Sequence, residues 1–324
     1  MSVHVLISAP YFQPVAHTFE DVWEREGITI TLPSVEERLT EEELLRLLPG
    51  VHGVVGGDDR FTRRVLEGAD SLRVISKWGT GTDSIDREAA AELGVAVYNT
   101  ANAFSHPVAD SVLGYILAFS RNIVQMDRLM KAGRWEKTMG TALNETIIGV
   151  IGVGNVGTQV LRRAGSFGAA LLGTDIRDVD SRTTANLGVQ MVSLEHLLAE
   201  SDFVSVNCDL NPSSHHLIGQ REFELMKRST FLVNTARGLV VDENALVLAL
   251  ETRALAGAAL DVFEDEPLPA DSPLRSMQNV LLAPHNSNSS PSAWQRVHQS
   301  TVDNLVRGLR IRSSRGNRTD EGEE

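Results

Sequence analysis

Short apolar segments alternate with amphipathic segments along most of the chain. In the first hundred residues, apolar runs of strand length separate segments whose apolar positions have helical spacing, and the same rhythm starts again near residue 146. This strand–helix order is typical of parallel sheets that carry helices on both faces. The pattern therefore predicts an α/β protein built from two doubly wound parallel sheets.

The two series divide into individual elements. Strands of the first series are predicted at 3–8, 51–55, 72–76 and 95–98, and helices at 41–48, 62–67 and 87–93. Thr40 and Glu43 form a capping-box pattern at the first of these helices. Strands of the second series are predicted at 147–153, 170–174, 203–207, 231–234, 256–260 and 280–283, and helices at 156–166, 194–198, 221–226 and 243–251.

The remaining segments suggest the domain boundaries. An apolar helix is predicted at 108–119, and residues 121–139 are mixed in character and are interpreted as an arm or loop, with Trp135 as a candidate for burial against another subunit. A last helix is predicted at 291–310 and is expected to return to the first series. This predicts a discontinuous first domain of residues 1–99 and 290–312, a second domain of residues 100–289, and a disordered tail at 313–324.

Composition restricts the partners and the compartment. The 324 residues carry a formal net charge of −13, which argues against a nucleic-acid surface or an anionic membrane as partner. No apolar run approaches the ~20 residues that span a bilayer. Cys208 is the single cysteine, so an intrachain disulfide is impossible and a cytoplasmic location is expected. No metal-binding cluster is expected, because the side chains of the adjacent His215 and His216 diverge.

A glycine fingerprint predicts a dinucleotide site. Gly152, Gly154 and Gly157 stand between a predicted strand and a predicted helix, the arrangement that permits a tight turn, close approach of a pyrophosphate and close packing of helix on strand. Asn155 and Val156 lie in the first turn of that helix, whose N–H groups and dipole favour phosphates. The predicted cofactor contacts also include Asp175, Ile176, Asn207 and Thr235, which lie at or next to strand ends.

Asp175 indicates which dinucleotide is bound. It lies at the end of the strand that follows the fingerprint, where a carboxylate accepts hydrogen bonds from the ribose hydroxyls and repels a 2′-phosphate. NAD is therefore favoured over NADP, although Arg177, two residues on, weakens this preference slightly.

Three residues at the ends of later strands form a candidate catalytic set. Arg237 can bind a carboxylate through two parallel hydrogen bonds. Glu266, held extended by Pro267, can pair with an imidazole. His285 can then exchange a proton with a substrate oxygen through its other ring nitrogen. Because ligands of open α/β sheets bind at the carboxyl ends of strands, we expect the three side chains to face the same crevice.

These motifs, in this order, resemble the D-isomer-specific 2-hydroxyacid dehydrogenase family, which includes D-3-phosphoglycerate dehydrogenases. The resemblance runs from about residue 72 to about residue 309 and includes the Gly79–Gly81 loop, the fingerprint and the segments around the three catalytic candidates. It implies that Arg237 binds and polarises a 2-oxoacid, that Glu266 pairs with His285 as general acid/base, and that Asp261 contacts the nicotinamide amide. It also implies a flavodoxin-like substrate domain, a Rossmann NAD-binding domain and a homodimer formed through the arm at 121–141.

Several positions depart from the family pattern. Asn286, Ser287 and Asn288 follow His285, where the family usually has an apolar residue and two glycines. Asn207 and Asp209 stand where the family commonly carries His and Pro, and Phe104 stands where many members have Asn. These changes flank the expected substrate and nicotinamide positions.

The sequence therefore predicts an NAD-dependent oxidoreductase that interconverts a 2-oxoacid and a D-2-hydroxyacid. The predicted substrate contacts are Lys77, Gly79, Thr80, Gly81 and Arg237. Lys77, Arg60 and His106 are interpreted as cations near strand ends or loops of the first block, which favours a small anionic, phosphorylated or dicarboxylic substrate resembling 3-phosphoglycerate. Two alternatives remain open, namely a dehydrogenase of formate, phosphite or a phosphonate-type anion, and a non-enzymatic NAD-sensing scaffold.

Overall fold

The computed structural model describes residues 3–316, and side chains as far as residue 310. The chain divides into two compact units, residues 1–103 with 290–324 and residues 104–289. They are called the first and the second unit below. Residues 317–324, most of the predicted disordered tail, lie outside the described residues, whereas the last helix runs to Gly316 and so includes the start of that tail.

The elements follow one another as the alternating pattern predicts. The strands are β1 (Val3–Ile7), β2 (Ile28–Thr31), β3 (Gly53–Gly56), β4 (Val74–Lys77), β5 (Ala96–Tyr98), β6 (Ile147–Ile151), β7 (Ala170–Thr174), β8 (Gln190–Met191), β9 (Phe203–Val206), β10 (Phe231–Asn234), β11 (Gly257–Leu260) and β12 (Val280–Leu282). The helices are α1 (Glu20–Arg25), α2 (Glu41–Leu47), α3 (Arg63–Glu67), α4 (Arg87–Glu92), α5 (Ser105–Ser120), α6 (Ile123–Lys131), α7 (Asn155–Ser166), α8 (Ser181–Leu187), α9 (Leu194–Glu200), α10 (Gln220–Leu225), α11 (Glu243–Glu251) and α12 (Pro291–Gly316).

The first unit contains a five-stranded parallel sheet with strand order β2-β1-β3-β4-β5. This is the flavodoxin-like order, so the predicted fold of this unit is confirmed. The capping box at the start of α2 is also present, since the Thr40 side chain accepts from the Glu43 N–H and the Glu43 carboxylate accepts from the Thr40 N–H.

Helix α12 packs on the sheet of the first unit, as its apolar spacing predicted. Two glycines allow the close approach: a Cβ on Gly308 would lie 2.3 Å from a Val74 methyl carbon, and one on Gly53 would lie 2.8 Å from a Leu305 methyl carbon. The Ser76 hydroxyl donates to the Thr301 carbonyl oxygen at 2.7 Å, which joins β4 to the helix. The first unit is therefore assembled from the two ends of the chain.

The second unit contains a seven-stranded parallel sheet with strand order β12-β11-β10-β9-β6-β7-β8. The order reverses at β6, which pairs with β9 on one side and with β7 on the other. This is the strand order of a Rossmann sheet, extended by one strand, and it confirms the predicted fold class. The switch point between β6 and β9 is where such sheets bind ligands.

Both faces of this sheet are buried. Leu232 and Ala258 belong to one apolar core cluster, whereas their chain neighbours Val233 and Ala259 belong to a second cluster on the opposite face. Successive side chains of a strand point to opposite faces, so strands buried on both sides consist of continuous apolar runs rather than alternating ones. This explains why the strands of this series are recognisable as short uninterrupted apolar segments.

The structure differs from the predicted elements in a few places. Residues 123–131, interpreted as part of an arm or loop, form helix α6, which has no buried residue. The apolar residues of α6 have helical spacing, but their side chains are not buried, so α6 is not a core helix. Four short elements, β2, α1, α8 and β8, lie in segments to which no structure was assigned.

Among the described residues, no helix is both long enough and apolar enough to cross a membrane.

Candidate active site

The glycine fingerprint forms a tight turn between β6 and α7. Gly152 has φ +87°, a conformation that strongly favours glycine, and a Cβ there would lie 2.7 Å from the Cys208 nitrogen. A Cβ on Gly157 would lie 2.0 Å from the Gly152 carbonyl oxygen, so only glycine lets the helix approach the turn. Around Gly154 the nearest atom is 3.6 Å from an added Cβ, which leaves its side of the turn open.

Helix α7 presents unsatisfied donors at this turn. The helix begins at Asn155. Its N-cap residue, Gly154, has no side chain that could accept hydrogen bonds from the first N–H groups of the helix. The first N–H groups of a helix have no partner within the helix, and they lie at the positive end of its dipole. The N–H groups of Asn155 and Val156 are therefore suited to bind the phosphates of a dinucleotide.

Asp175 is held by the glycine turn itself. Its carboxylate accepts the Val153 N–H at 2.8 Å and the Arg177 N–H at 2.9 Å, and its side chain is 5% exposed. Burial raises the pKa of Asp175, but the hydrogen bonds from Arg177 and from the Val153 N–H outweigh it, and the net pKa lies below the usual value. The residue is thus an anion next to the turn, as ribose recognition requires, and it is followed by the exposed Ile176.

Two predicted cofactor contacts have buried polar atoms without a partner. The Asn207 Oδ1 atom and the Thr235 Oγ1 atom are buried and make no hydrogen bond in the structure. They follow β9 and β10, at the carboxyl edge of the sheet that also carries the glycine turn. Buried polar atoms normally have partners, so these two atoms are consistent with a polar ligand at this edge. Together with the open side of Gly154, they make the second unit a good fit to a bound dinucleotide.

Arg237 is positioned by a short turn after β10. The Asn234 side chain donates to the Arg237 carbonyl oxygen at 3.0 Å and accepts the Ala236 N–H at 3.1 Å. The Arg237 guanidinium is half-buried and donates to the Ala236 carbonyl oxygen at 2.8 Å. Residues 234–240 are called the Arg237 turn below. Its conformation is set by the Asn234 side chain, which supplies the donor and the acceptor that fix the main chain at Ala236 and Arg237.

Glu266 and His285 form the predicted pair. His285 Nδ1 lies 2.9 Å from Glu266 Oε2, and the two side chains are 24% and 20% exposed. The other carboxylate oxygen, Oε1, accepts the Phe263 N–H at 2.9 Å, which fixes the glutamate within residues 261–267, called the Glu266 loop below. Because Nδ1 is engaged by a carboxylate, the predicted proton exchange with a substrate would use Nε2.

Asp261 has a structural role that the sequence did not indicate. It is buried, and its two carboxylate oxygens accept the N–H groups of Asn286 and Ser287, each at 2.8 Å. The His285 N–H donates to the Asp261 carbonyl oxygen, and His285 itself has φ +49°. Asp261 therefore fixes the turn that carries the catalytic candidate. Its predicted contact with the nicotinamide amide remains a prediction.

In the first unit, Lys77 is less available than the sequence suggested. Its side chain is 5% exposed, and its ammonium group lies 2.9 Å from the Asp58 carboxylate. Gly79 has φ +128°, and its carbonyl oxygen accepts the Thr100 N–H, while the Thr80 hydroxyl donates to the Thr100 carbonyl oxygen. The loop that continues to Gly81 is thus tied to the segment after β5.

The other two predicted cations lie in different surroundings. Arg60 is exposed in the first unit. His106, expected in the first block, instead belongs to helix α5 of the second unit, where its ring lies 3.2 Å from the Arg163 guanidinium. The prediction that it belongs to the first block is wrong, because the unit boundary falls before α5. Within the described residues, no group of three or more His, Cys, Asp or Glu side chains could hold a metal ion.

The fold and this site define a dinucleotide-binding α/β protein with a histidine–carboxylate pair at the sheet edge. Residues 113–287 match the model of the D-isomer specific 2-hydroxyacid dehydrogenase NAD binding domain. The chain belongs to the D-isomer specific 2-hydroxyacid dehydrogenase family, whose members are NAD-dependent oxidoreductases acting on CH–OH donors.

Individual relatives agree with this assignment. The chain is 38% identical to a glyoxylate reductase of Korarchaeum cryptofilum, over 76% of each chain. It is 36% identical to a D-3-phosphoglycerate dehydrogenase of Methanocaldococcus jannaschii, over 95% of this chain but only 58% of that relative. A crystal structure of a glyoxylate reductase from Paecilomyes thermophila superposes with a TM-score of 0.81 at 28% identity, covering 95% of each chain.

Proposed function

We propose that this chain reduces a short 2-oxoacid to the D-2-hydroxyacid with NADH and also catalyses the reverse oxidation. The observation that carries the proposal is the 2.9 Å contact of His285 Nδ1 with Glu266 Oε2, in the same unit as Arg237 and the glycine turn. Bound NADH supplies the hydride that C2 of the 2-oxoacid receives. The reaction also needs a proton for the carbonyl oxygen and a group that binds the substrate carboxylate. Side chains of this protein provide both.

The catalytic roles follow from the chemistry of each group. His285 donates a proton from Nε2 to the carbonyl oxygen as the C2 hydrogen is delivered, and recovers it in the opposite direction. Glu266 orients the ring and stabilises the imidazolium that forms when the alcohol is oxidised. Arg237 binds the carboxylate with two parallel hydrogen bonds and polarises the 2-oxo group. The N–H groups of the Gly79–Gly81 loop are proposed as further carboxylate donors, and Asp261 as a contact of the nicotinamide amide.

The pairing of Lys77 with Asp58 bears on the substrate. A buried ammonium group already neutralised by a carboxylate has little to offer to a phosphate on the substrate. We therefore propose an acid with a short, uncharged side chain, of the kind that glyoxylate and hydroxypyruvate represent. The competing expectation, in which Lys77 and Arg60 bind an anionic tail like that of 3-phosphohydroxypyruvate, predicts a different ranking of substrates.

The test is NADH oxidation, followed at 340 nm, across glyoxylate, pyruvate, hydroxypyruvate, 2-oxoglutarate and 3-phosphohydroxypyruvate, with NADPH as the alternative cofactor. We expect turnover of the short acids to fall by about 10²–10⁴-fold in His285→Ala, the range typical of a lost general acid. His196→Ala, which removes an exposed histidine from α9, is the matched control and should keep full activity.

Two results would count against the proposal. A preference for 3-phosphohydroxypyruvate would support the anionic-tail expectation instead, if Lys77→Met loses activity on that substrate and keeps its activity on glyoxylate. If NADH binds but none of the 2-oxoacids is turned over, the same assay with NAD and formate or phosphite would test the small-anion alternative. If no turnover is measured with these anions either, the remaining alternative is the non-enzymatic NAD-sensing scaffold.

We also propose a homodimer formed through residues 121–141. Four large apolar side chains are exposed in this stretch, Ile123 and Met130 at 51%, Trp135 at 83% and Met139 at 95%. Exposed apolar groups concentrated in one segment are typical of association surfaces. A dimer mass in sedimentation equilibrium that becomes a monomer mass in a Trp135→Ser, Met139→Ser variant would support the proposal, and a monomeric wild type would refute it.

The cytoplasm is the proposed location, supported by the single cysteine, and the net charge of −13 supports the proposal that nucleic acids and anionic membranes are not partners.

A further inference from the structure

We propose that His216 is a positioning residue that holds the Arg237 turn and the Glu266 loop in fixed relation. The proposal rests on the proposed function for its effect on turnover. His216 lies between β9 and α10, and its side chain contacts Glu264 rather than a catalytic candidate, so its proposed role is indirect.

The main chain of His216 is attached to the end of the Arg237 turn. Its N–H donates to the Leu239 carbonyl oxygen at 2.8 Å, and the Ile218 N–H donates to the Val240 carbonyl oxygen at 3.1 Å. Residues 216–218 therefore run alongside the segment that follows Arg237. His216 adopts φ +49°, which is uncommon for a residue with a side chain, so the surrounding hydrogen bonds must stabilise this conformation.

The side chain of His216 reaches the Glu266 loop. Its Nε2 atom lies 2.8 Å from Glu264 Oε1, with the two side chains 36% and 25% exposed. The same oxygen of Glu264 accepts the Glu243 N–H at 3.1 Å, and the Glu264 N–H donates to a Glu243 carboxylate oxygen at 3.2 Å. Glu264 is therefore held from both sides, two residues before Glu266.

The charges around Glu264 make the imidazole contact important. Burial raises the pKa of Glu243, as do the nearby charges of Glu264 and Asp265, which shows that these carboxylates repel one another. The Asp242 carboxylate also lies 4.0 Å from His216 Nδ1. The His216 Nε2 atom is the polar group that contacts Glu264 within this acidic group. Without that contact, repulsion favours movement of Glu264 away from Glu243.

The Arg237 turn and the Glu266 loop are in direct main-chain contact. A Cβ on Gly238 would lie 1.9 Å from the carbonyl carbon of Phe263 and 2.4 Å from the nitrogen of Glu264. The Phe263 N–H in turn binds Glu266. Movement of Glu264 therefore displaces the residue that holds the catalytic glutamate, next to the turn that holds Arg237. His216 bonds to both segments and restrains this movement.

Two variants of similar size test the contact. His216→Gln keeps a polar group near the position of Nε2, whereas His216→Met has nearly the same shape and no polar N–H group. We expect kcat of the Met variant to fall about 10- to 100-fold, as small misplacements of catalytic groups can cause, while the Gln variant stays within about threefold of wild type. The dissociation constant of NADH, measured by fluorescence, should stay within about twofold in both. His196→Ala, which removes an exposed histidine of α9, should leave kcat unchanged.

Amide hydrogen exchange provides a readout that does not depend on turnover. Peptides covering residues 261–268 should exchange about fivefold faster in the Met variant than in the Gln variant, while peptides of β6 and α7 stay the same. If wild type turns over no 2-oxoacid, the proposed function fails, yet this comparison still decides the role of His216. Equal exchange in the two variants, or equal loss of kcat in both, would refute the proposal, because the polar contact with Glu264 would then have no separate effect.

Discussion

Asp261 holds the turn of His285 through both its main chain and its side chain. The His285 N–H donates to the Asp261 carbonyl oxygen at 2.8 Å, and the Asp261 carboxylate binds the next two N–H groups of the chain. The imidazole is thus presented on a turn whose conformation depends on one buried anion. The departures from the family pattern, Asn286 and Ser287, lie in that turn and contribute the two N–H donors.

The first prediction concerns this anion. In Asp261→Asn, one of the two N–H groups faces an amide NH₂ instead of an acceptor, so the variant should lose about 1–3 kcal/mol of unfolding free energy. Turnover of the preferred 2-oxoacid should fall about tenfold or more, because the His285 ring is no longer held in one position. Urea denaturation and initial rates measure the two effects. Asp265→Asn alters an exposed carboxylate of the same loop and should change neither.

The second prediction concerns the choice of cofactor. Asp175→Asn removes the charge that repels a 2′-phosphate and leaves Arg177 beside it. We expect the ratio of kcat/KM for NADH to that for NADPH to fall about tenfold or more, equivalent to about 1.4 kcal/mol or more of discrimination. Asp178→Asn changes an exposed acid three residues on and should preserve the ratio. An unchanged ratio in Asp175→Asn would mean that the carboxylate only supports the glycine turn.

The third prediction is a pH dependence of stability. The pKa of Glu243 is raised, by burial first and by neighbouring carboxylates second, so its charged form is less favourable in the folded than in the unfolded chain. The stability that this group contributes is complete below its unfolded pKa and is lost as the pH rises through the folded pKa. Glu243→Gln should therefore have a higher free energy of unfolding than wild type at pH 8, and this difference should be smaller at pH 4. Urea titrations at the two pH values measure the difference, and a gain at pH 4 alone would contradict it.

The fourth prediction is the inertness of Cys208. Burial raises its pKa to about 11. At pH 8 about one thiol in a thousand is then ionised, against about a quarter for an ordinary thiol of pKa about 8.5. Iodoacetamide labelling at pH 8 should be about 100-fold or more slower in the native protein than in guanidinium. Similar rates in both would show that the thiol is accessible and ionised in the native protein.

Much of the site was predictable because parallel sheets bring strand ends to one edge. Arg237, Glu266 and His285 each follow a strand of the same sheet, so their order along the chain was enough to place them at one edge of that sheet. The glycine fingerprint was predictable for a different reason, since positive φ and close packing leave glycine as the only choice at Gly152 and Gly157.

What could not be predicted depends on contacts between distant side chains. Lys77 and Asp58 face each other from neighbouring strand ends, and no local pattern reveals which cation is neutralised in this way. His216 and Glu264 lie even farther apart in sequence, and their residue types alone suggest two solvated polar groups. Helix α6 was not predicted, because helices were assigned from apolar faces that were expected to be buried. The structure shows no buried residue in α6.

The position of helix α12 has a consequence for biosynthesis. A ribosome completes the whole second unit, residues 104–289, before it begins the helix that packs on β3 and β4 of the first unit. Until then, the surface around Val74 and Gly53 lacks Leu305 and Gly308, which pack against it. Since domains generally fold as units during synthesis, the second unit can fold first, and the first unit must wait until α12 has been synthesised.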